Sequence, residues 1–103
     1  MNFKNIKFKV EKHPAVEAEI SGLEQPLQEI LKSEYKKIEN EGIGFVKVKL
    51  LRDKIFEIKS DELRSLFKYK KGRIIVIGVV FVKETQKIPK KIMKLAEKRL
   101  KEV

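Results

Sequence analysis

The residues predict an α+β domain, with a twisted antiparallel sheet of four or so strands, helices from the first half packed on one face, and a basic C-terminal helix. Three observations carry this reading. Residues 74–82 read IIVIGVVFV, seven of the nine β-branched and none polar, so a strand built from them is covered on both faces. Residues 45–69 alternate apolar and polar with a period of two, whereas residues 26–38 and 89–103 place apolar side chains every three or four positions, the period of a helix. Nine apolar residues fall well short of the roughly 20 that span a bilayer, and β-branched side chains lose rotamer freedom in helices, so 74–82 is a buried strand.

In chain order, Phe3 to Glu11 places Ile6, Phe8 and Val10 on one side and Lys7, Lys9 and Glu11 on the other, the pattern of a lysine-fringed edge strand. Pro14 is expected to end it. His13, with no acidic or cysteine partner nearby in sequence, reads as a turn residue and receives no role. Val16 to Ile20 predicts a short helix broken by Ser21-Gly22. Pro26 suits the first turn of a second helix, on which Leu27, Ile30, Leu31, Tyr35 and Ile38 share one face, and Gly42 suits its C-terminal cap. The opposite, charged face of that helix reads as solvated scaffold.

Val46, Val48 and Leu50 then alternate with Lys47 and Lys49, the turn Arg52-Asp53-Lys54 follows, and Phe56 and Ile58 alternate with Glu57 and Lys59, which predicts a hairpin. A third strand runs from Leu63 to Tyr69, with Leu63, Phe67 and Tyr69 facing one way and Arg64, Leu66 and Lys68 the other. Lys70-Lys71-Gly72-Arg73 turns the chain into 74–82 and completes a meander. Lys47, Lys49, Glu57, Lys59, Arg64 and Lys68 are thus expected on or near one concave polar surface. The buried strand stops at Lys83 and delivers the polar cluster Lys-Glu-Thr-Gln-Lys to its own end, an arrangement that suits a site carried on a rigid element. Pro89 opens the last helix, whose exposed side holds Lys90, Lys91, Lys94, Lys98 and Lys101.

Composition narrows the function. A 103-residue chain with 42% hydrophobic and 39% charged residues fits a single folded domain, taken as 1–103. Without cysteine and with one histidine, neither a disulfide framework nor a zinc site is expected. The charged N-terminus lacks the apolar core of a signal peptide, so a cytoplasmic location with no membrane contact is expected. Net charge is +10, and its distribution is uneven: residues 1–45 sum to −1 and residues 46–103 to +11. Such an excess creates a positive field that attracts polyanions, nucleic acid foremost.

The residues KLLRDKIFEIK (49–59), LRSLFKY (63–69) and VFVKETQKIP (80–89), followed by a basic terminal helix, resemble the RelE/ParE toxin superfamily, in its HigB-like, phage-related branch. The resemblance covers residues 46–103 well and the first 45 in outline. Its most specific element is FVKETQKIP (81–89), similar to the branch's F-x-K-K-T-Q-K-T-P. What the resemblance implies is the toxin of a type II toxin-antitoxin pair, a ribosome-dependent endoribonuclease that cuts translated messenger RNA. A small antitoxin, expected to carry a helix-turn-helix, would hold it inactive. Carried over by position, Arg64 matches the strand arginine, Glu57 and Lys59 the glutamate and arginine of Y-E-L-R, and Lys83, Thr85, Gln86 and Lys87 the K-x-T-Q-K cluster. The branch has His-Gly where this chain has Val79 and Val80, lysine at Glu84, threonine at Ile88 and often tyrosine at Val103.

The implied chemistry needs no metal or cofactor. RNA breaks when its 2′-oxygen attacks the adjacent phosphorus, so the protein must orient the strand, remove one proton and stabilise the phosphorane. Arg64, Lys83, Glu57 and Lys59 are the expected catalytic group, with Glu57 or a desolvated lysine as base. Lys47, Lys49, Lys68, Thr85, Gln86, Lys87, Lys90, Lys91 and Lys94 are expected to bind RNA. Arg64 and Lys83 are both expected on a polar surface, where truncation leaves folding intact. Two alternatives stand beside this: a ParE-like gyrase inhibitor without nuclease activity, and an RNA-binding module without chemistry.

Overall fold

The computed structural model describes residues 3–103. The elements run β1 (Lys9–Lys12), α1 (Pro14–Ser21), α2 (Gln25–Asn40), β2 (Lys47–Arg52), β3 (Ile55–Ser60), β4 (Leu63–Lys70), β5 (Ile74–Val82) and α3 (Lys90–Lys101), with 3-10 turns at Phe3–Asn5 and Ile43–Phe45. One five-stranded sheet is ordered β1-β5-β4-β3-β2. The last four strands form the antiparallel meander that alternation predicts. β1 instead joins β5 in parallel, so the sheet is mixed. Alternation along a strand shows which side chains are buried and says nothing about the direction of the neighbour, and β1 takes its partner from across α1 and α2.

Each local start and stop has a cause. Of the predicted Phe3-to-Glu11 strand, only the part from Lys9 onward belongs to the ladder, which runs one residue further, as Lys9–Lys12. Pro14 opens α1 where it was expected to close a strand, because its missing N–H costs nothing at a first helical position. His13 caps that helix, its Nδ1 accepting from the Ala15 N–H at 3.1 Å, and its Nε2 lies 2.8 Å from Glu102. Its acidic partner exists after all, 89 residues away in sequence. The β2–β3 turn places Asp53 and Lys54 at φ 50° and 64°, the twist a two-residue hairpin loop requires.

Two apolar layers sandwich the sheet. Val16, Leu31, Tyr35 and Ile38 of α1 and α2 pack on Ile58, Leu63, Phe67, Ile75, Ile77 and Val80. On the opposite face, Met93, Ala96 and Leu100 of α3 pack on Ile55, Leu66, Val76 and Val79. β5 therefore serves both layers, as its unbroken apolar run requires. Its parity switches at Gly78: Leu66 pairs with Val79 but Phe67 with Ile77, so Gly78 is an extra, bulged residue. A Cβ there would lie 2.7 Å from Leu100 Cγ, which explains glycine in an otherwise β-branched strand. β1 ends at Lys12 opposite Ile77, and the edge of β5 beyond it is satisfied by side chains. Glu19 accepts from the Val80 N–H at 3.1 Å, and Arg99, paired with Glu19 at 2.7 Å, donates to the Gly78 carbonyl at 3.1 Å.

Candidate nucleic-acid interface

α3 covers only part of its face of the sheet. Along β3 and β4 toward the Asp61-Glu62 turn, that face becomes charged. The register sets Lys47, Lys59 and Arg64 directly opposite one another across β2, β3 and β4, and the adjacent row is Lys49, Glu57 and Leu66. Like charges placed opposite one another repel. Among the described residues, no carboxylate forms an ion pair with Lys47, Lys49 or Lys59. Lysines left uncompensated in these rows cost stability and suit an anionic chain laid across them.

A groove of ≈ 370 Å³ opens between these strands, the segment after β5 and the start of α3, lined by Lys49, Glu57, Lys83, Gln86, Lys87 and Lys90. The β5 ladder positions Lys83, whose N–H donates to the Glu62 carbonyl at 2.8 Å. The Thr85 hydroxyl donates to the Lys87 carbonyl at 2.7 Å, which shapes the turn bearing Gln86 and Lys87. Helix α3 begins with two lysines and has no acid in its first turn, the reverse of what the helix dipole favours, so this end of the groove is strongly positive. Glu57 is the one carboxylate among the groove-lining residues. It is 6% exposed.

Arg64 differs from expectation. It is 8% exposed and buried beside Glu57, where a polar surface was predicted. Its Nη1 donates to the Asp61 and Leu63 carbonyls at 2.6 and 2.8 Å. Its Nε lies 3.9 Å from Glu57 Oε1, beyond hydrogen-bond reach, and is the one buried side-chain nitrogen or oxygen among the described residues without a hydrogen-bond partner. An unpaired buried N–H beside a carboxylate leaves a polar pair that an added hydrogen-bonding group completes.

The remaining expected residues divide by position. Lys59 is exposed and belongs to the cation row, outside the groove. Lys68 is not part of the cluster: its ammonium donates to the Leu100 carbonyl and, at 2.9 Å, to the Val103 carbonyl. The orphan carbonyls at the negative end of α3 claim it. Lys91 and Lys94 are exposed on α3 and do not line the groove. Sequence reasoning missed Leu50, Leu51, Arg52, Ile88 and Met93 as lining residues. Arg52 read as a turn residue, yet it pairs with Glu97 at 2.8 Å and ties the β2–β3 hairpin to α3. Its partner stands 45 residues away, beyond any local signal.

The family model for phage derived protein Gp49-like matches residues 18–101. No curated protein shows significant similarity to the chain. Among solved structures, the archaeal RelE-RelB complex from Pyrococcus horikoshii OT3 is similar, with TM-score 0.64 and 14% identity over 76% of this chain and 97% of that one. The toxin-antitoxin complex RelBE2 from Mycobacterium tuberculosis is similar at TM-score 0.64 and 15% identity, over 82% of this chain and all of that one. At these identities the likeness establishes a shared fold, five strands and three helices with a C-terminal helix.

Proposed function

From the premise that the chain belongs to the Gp49-like family of phage-derived proteins and has the RelE toxin fold, we propose that it is the toxin of a toxin-antitoxin pair that cuts translated messenger RNA on the ribosome. One observation carries the reading: a single buried carboxylate, Glu57, lines a groove in which the other charged residues, Lys49, Arg52, Lys83, Lys87 and Lys90, are all cations. RNA laid in it meets positive charge for its phosphates and one base for its 2′-hydroxyl. The similar solved structures are complexes with an antitoxin, which supports a cognate small antitoxin as partner, one expected to carry a helix-turn-helix. No helix among the described residues is long and apolar enough to cross a membrane.

In the proposed reaction Glu57 takes the proton of the 2′-hydroxyl. The new O2′–P bond forms as the P–O5′ bond breaks, leaving a 2′,3′-cyclic phosphate and a 5′-hydroxyl. Lys83 and Lys49 stabilise charge on the phosphorane oxygens, and an ammonium of the groove protonates the departing O5′. Arg64 serves as a positioning residue, because its Nη1 holds the Asp61-Glu62 turn and its Nε faces Glu57. Lys59 and Lys47 hold the strand on the cation row.

The test is cleavage of a translated messenger in a reconstituted system. Glu57→Gln, which keeps shape and hydrogen-bonding capacity, is expected to lower the cleavage rate about a hundredfold or more, the range for a lost general base. Because the substitution leaves the buried Arg64 without its carboxylate, the variant is expected to melt below the parent, and cleavage is compared at a temperature where both are folded. Unchanged cleavage by Glu57→Gln would remove Glu57 from the chemistry. Inhibition of gyrase supercoiling with no cleavage by the parent protein would replace the nuclease reading with the gyrase one.

A further inference from the structure

A second cavity lies on the other side of the cation row. It encloses ≈ 560 Å³, and Lys47 and Lys59 stand among its lining residues with Phe45, Glu34, Lys37 and Ser60. That volume falls within the range of about 300–1,000 Å³ typical of small-ligand clefts. Neither Lys47 nor Lys59 lines the ≈ 370 Å³ groove, yet both share a sheet face and adjacent register rows with Lys49 and Glu57. A polyanion crossing the row from the groove therefore arrives at this cavity.

Phe45 is 40% exposed, and the chain is built to hold it there. It ends the 3-10 turn Ile43–Phe45, which packs against the turn Phe3–Asn5. Glycines on either side of Ile43 permit that approach: Gly42 has φ 133°, and a Cβ on Gly44 would lie 2.4 Å from the Lys4 Cα. The Lys4 ammonium sits 4.9 Å from the centroid of the Phe45 ring, an attraction that orients the ring. The same cavity has polar lining residues. Glu34 Oε1 accepts from the Ser60 hydroxyl at 3.0 Å, and Oε2 lies 3.5 Å from Lys37 Nζ. Glu34 is thereby fixed as an acceptor. A partly exposed aromatic ring and an oriented carboxylate lining one cavity disfavour phosphate but suit an unstacked base that carries N–H donors.

We propose that this cavity is a nucleobase subsite for single-stranded RNA, with the ring of Phe45 as the stacking platform, Lys47 and Lys59 holding the flanking phosphates, and Glu34 accepting from the base edge. The subsite rests on the reading of the groove as an RNA site and extends it by one position along the strand. Glu34 favours guanine, whose ring N1–H and exocyclic amino group can donate to one carboxylate together, over uracil, which offers the single N3–H donor.

Binding of short labelled RNAs to the full chain, followed by fluorescence anisotropy, tests this without relying on cleavage. The probes are four pentanucleotides that are uniform apart from the central base. Phe45→Leu keeps an apolar side chain but removes the π face, and is expected to weaken binding about tenfold, the scale of one lost base stack. Phe45→Tyr should bind like the parent. Glu34→Gln should erase the discrimination against uracil while leaving overall affinity within about threefold, as expected when one hydrogen-bond partner is changed. Parent-like affinity in Phe45→Leu overturns the subsite and leaves the groove assignment standing. A parent protein that binds none of the four RNAs overturns both. If Phe45→Leu melts well below the parent, blockage of the cavity by Ser33→Trp replaces it, and RNA affinity unchanged by that block overturns the subsite.

Discussion

Glu57 and Arg64 are both buried, and neither is fully satisfied by the other. Removing one partner of a buried ion pair leaves the other charge uncompensated and typically costs about 3 kcal/mol or more. The 3.9 Å separation places this pair toward the lower end. Arg64→Ala is therefore expected to lower the melting temperature clearly, in contrast to the neutral effect that a surface arginine would give. Part of that loss also comes from the freed carbonyls of Asp61 and Leu63. Chemical denaturation of Arg64→Ala, Glu57→Gln and the double variant measures the coupling. A double variant more stable than Arg64→Ala is the expected result, since it no longer buries a lone carboxylate. Strict additivity would mean that the two groups do not sense each other, and that Arg64 does not position Glu57.

Helix α2 is joined to the sheet through a buried polar contact, the Tyr35 hydroxyl to the Ser65 hydroxyl at 2.7 Å. Burial, with the nearby carboxylates of Glu17, Glu19 and Glu34 adding to it, pushes the Tyr35 phenol far above its ordinary range, and the bond to Ser65 offsets this only in part. The consequence for stability has a definite sign. Below about pH 10, the ordinary tyrosine value, folded and unfolded chains both keep the proton and this group contributes no pH dependence. Above it, the unfolded chain ionises while the folded one does not, so stability falls as pH rises. Tyr35→Phe leaves the Ser65 hydroxyl without this partner and is expected to cost about 1–2 kcal/mol near neutrality. The gap between parent and variant should narrow as pH passes from 9 to 11 in a urea titration series. Tyr69, also raised by burial, contributes equally to both proteins and cancels from the difference.

The uneven charge of the chain has a consequence beyond any one residue. Its first 45 residues sum to −1 and the remainder to +11. The positive half contributes the cation row, the groove and the first turn of α3, whereas α2 lies against the opposite face of the sheet. On the proposed function, single-stranded RNA bound on the basic side would displace condensed counterions, so log affinity is expected to fall linearly with log salt, by about 0.7 per phosphate neutralised. Replacing Lys90, Lys91 and Lys94 together by alanine should reduce that slope by about two and weaken binding at low salt if, as proposed, the strand runs past the first turns of α3. A slope unchanged by the triple substitution would place the RNA path away from α3.

Much of the fold is written in local periodicity. The unbroken run 74–82, the alternation through β2 to β4, the prolines opening α2 and α3, and the opposed faces of β4 all follow from neighbours within four residues, and the structure reproduces them. The charge asymmetry is equally local, since it is a sum along the chain. Contacts between distant segments decided the rest. The parallel direction of β1, the bulge at Gly78, the burial of Arg64, the withdrawal of Lys68 to the end of α3 and the exposure of Phe45 each depend on a partner brought near by folding. A side chain's period shows which face it occupies. Whether that face meets a helix, a carbonyl or open solvent depends on which distant segment packs there, and no short stretch of sequence specifies that.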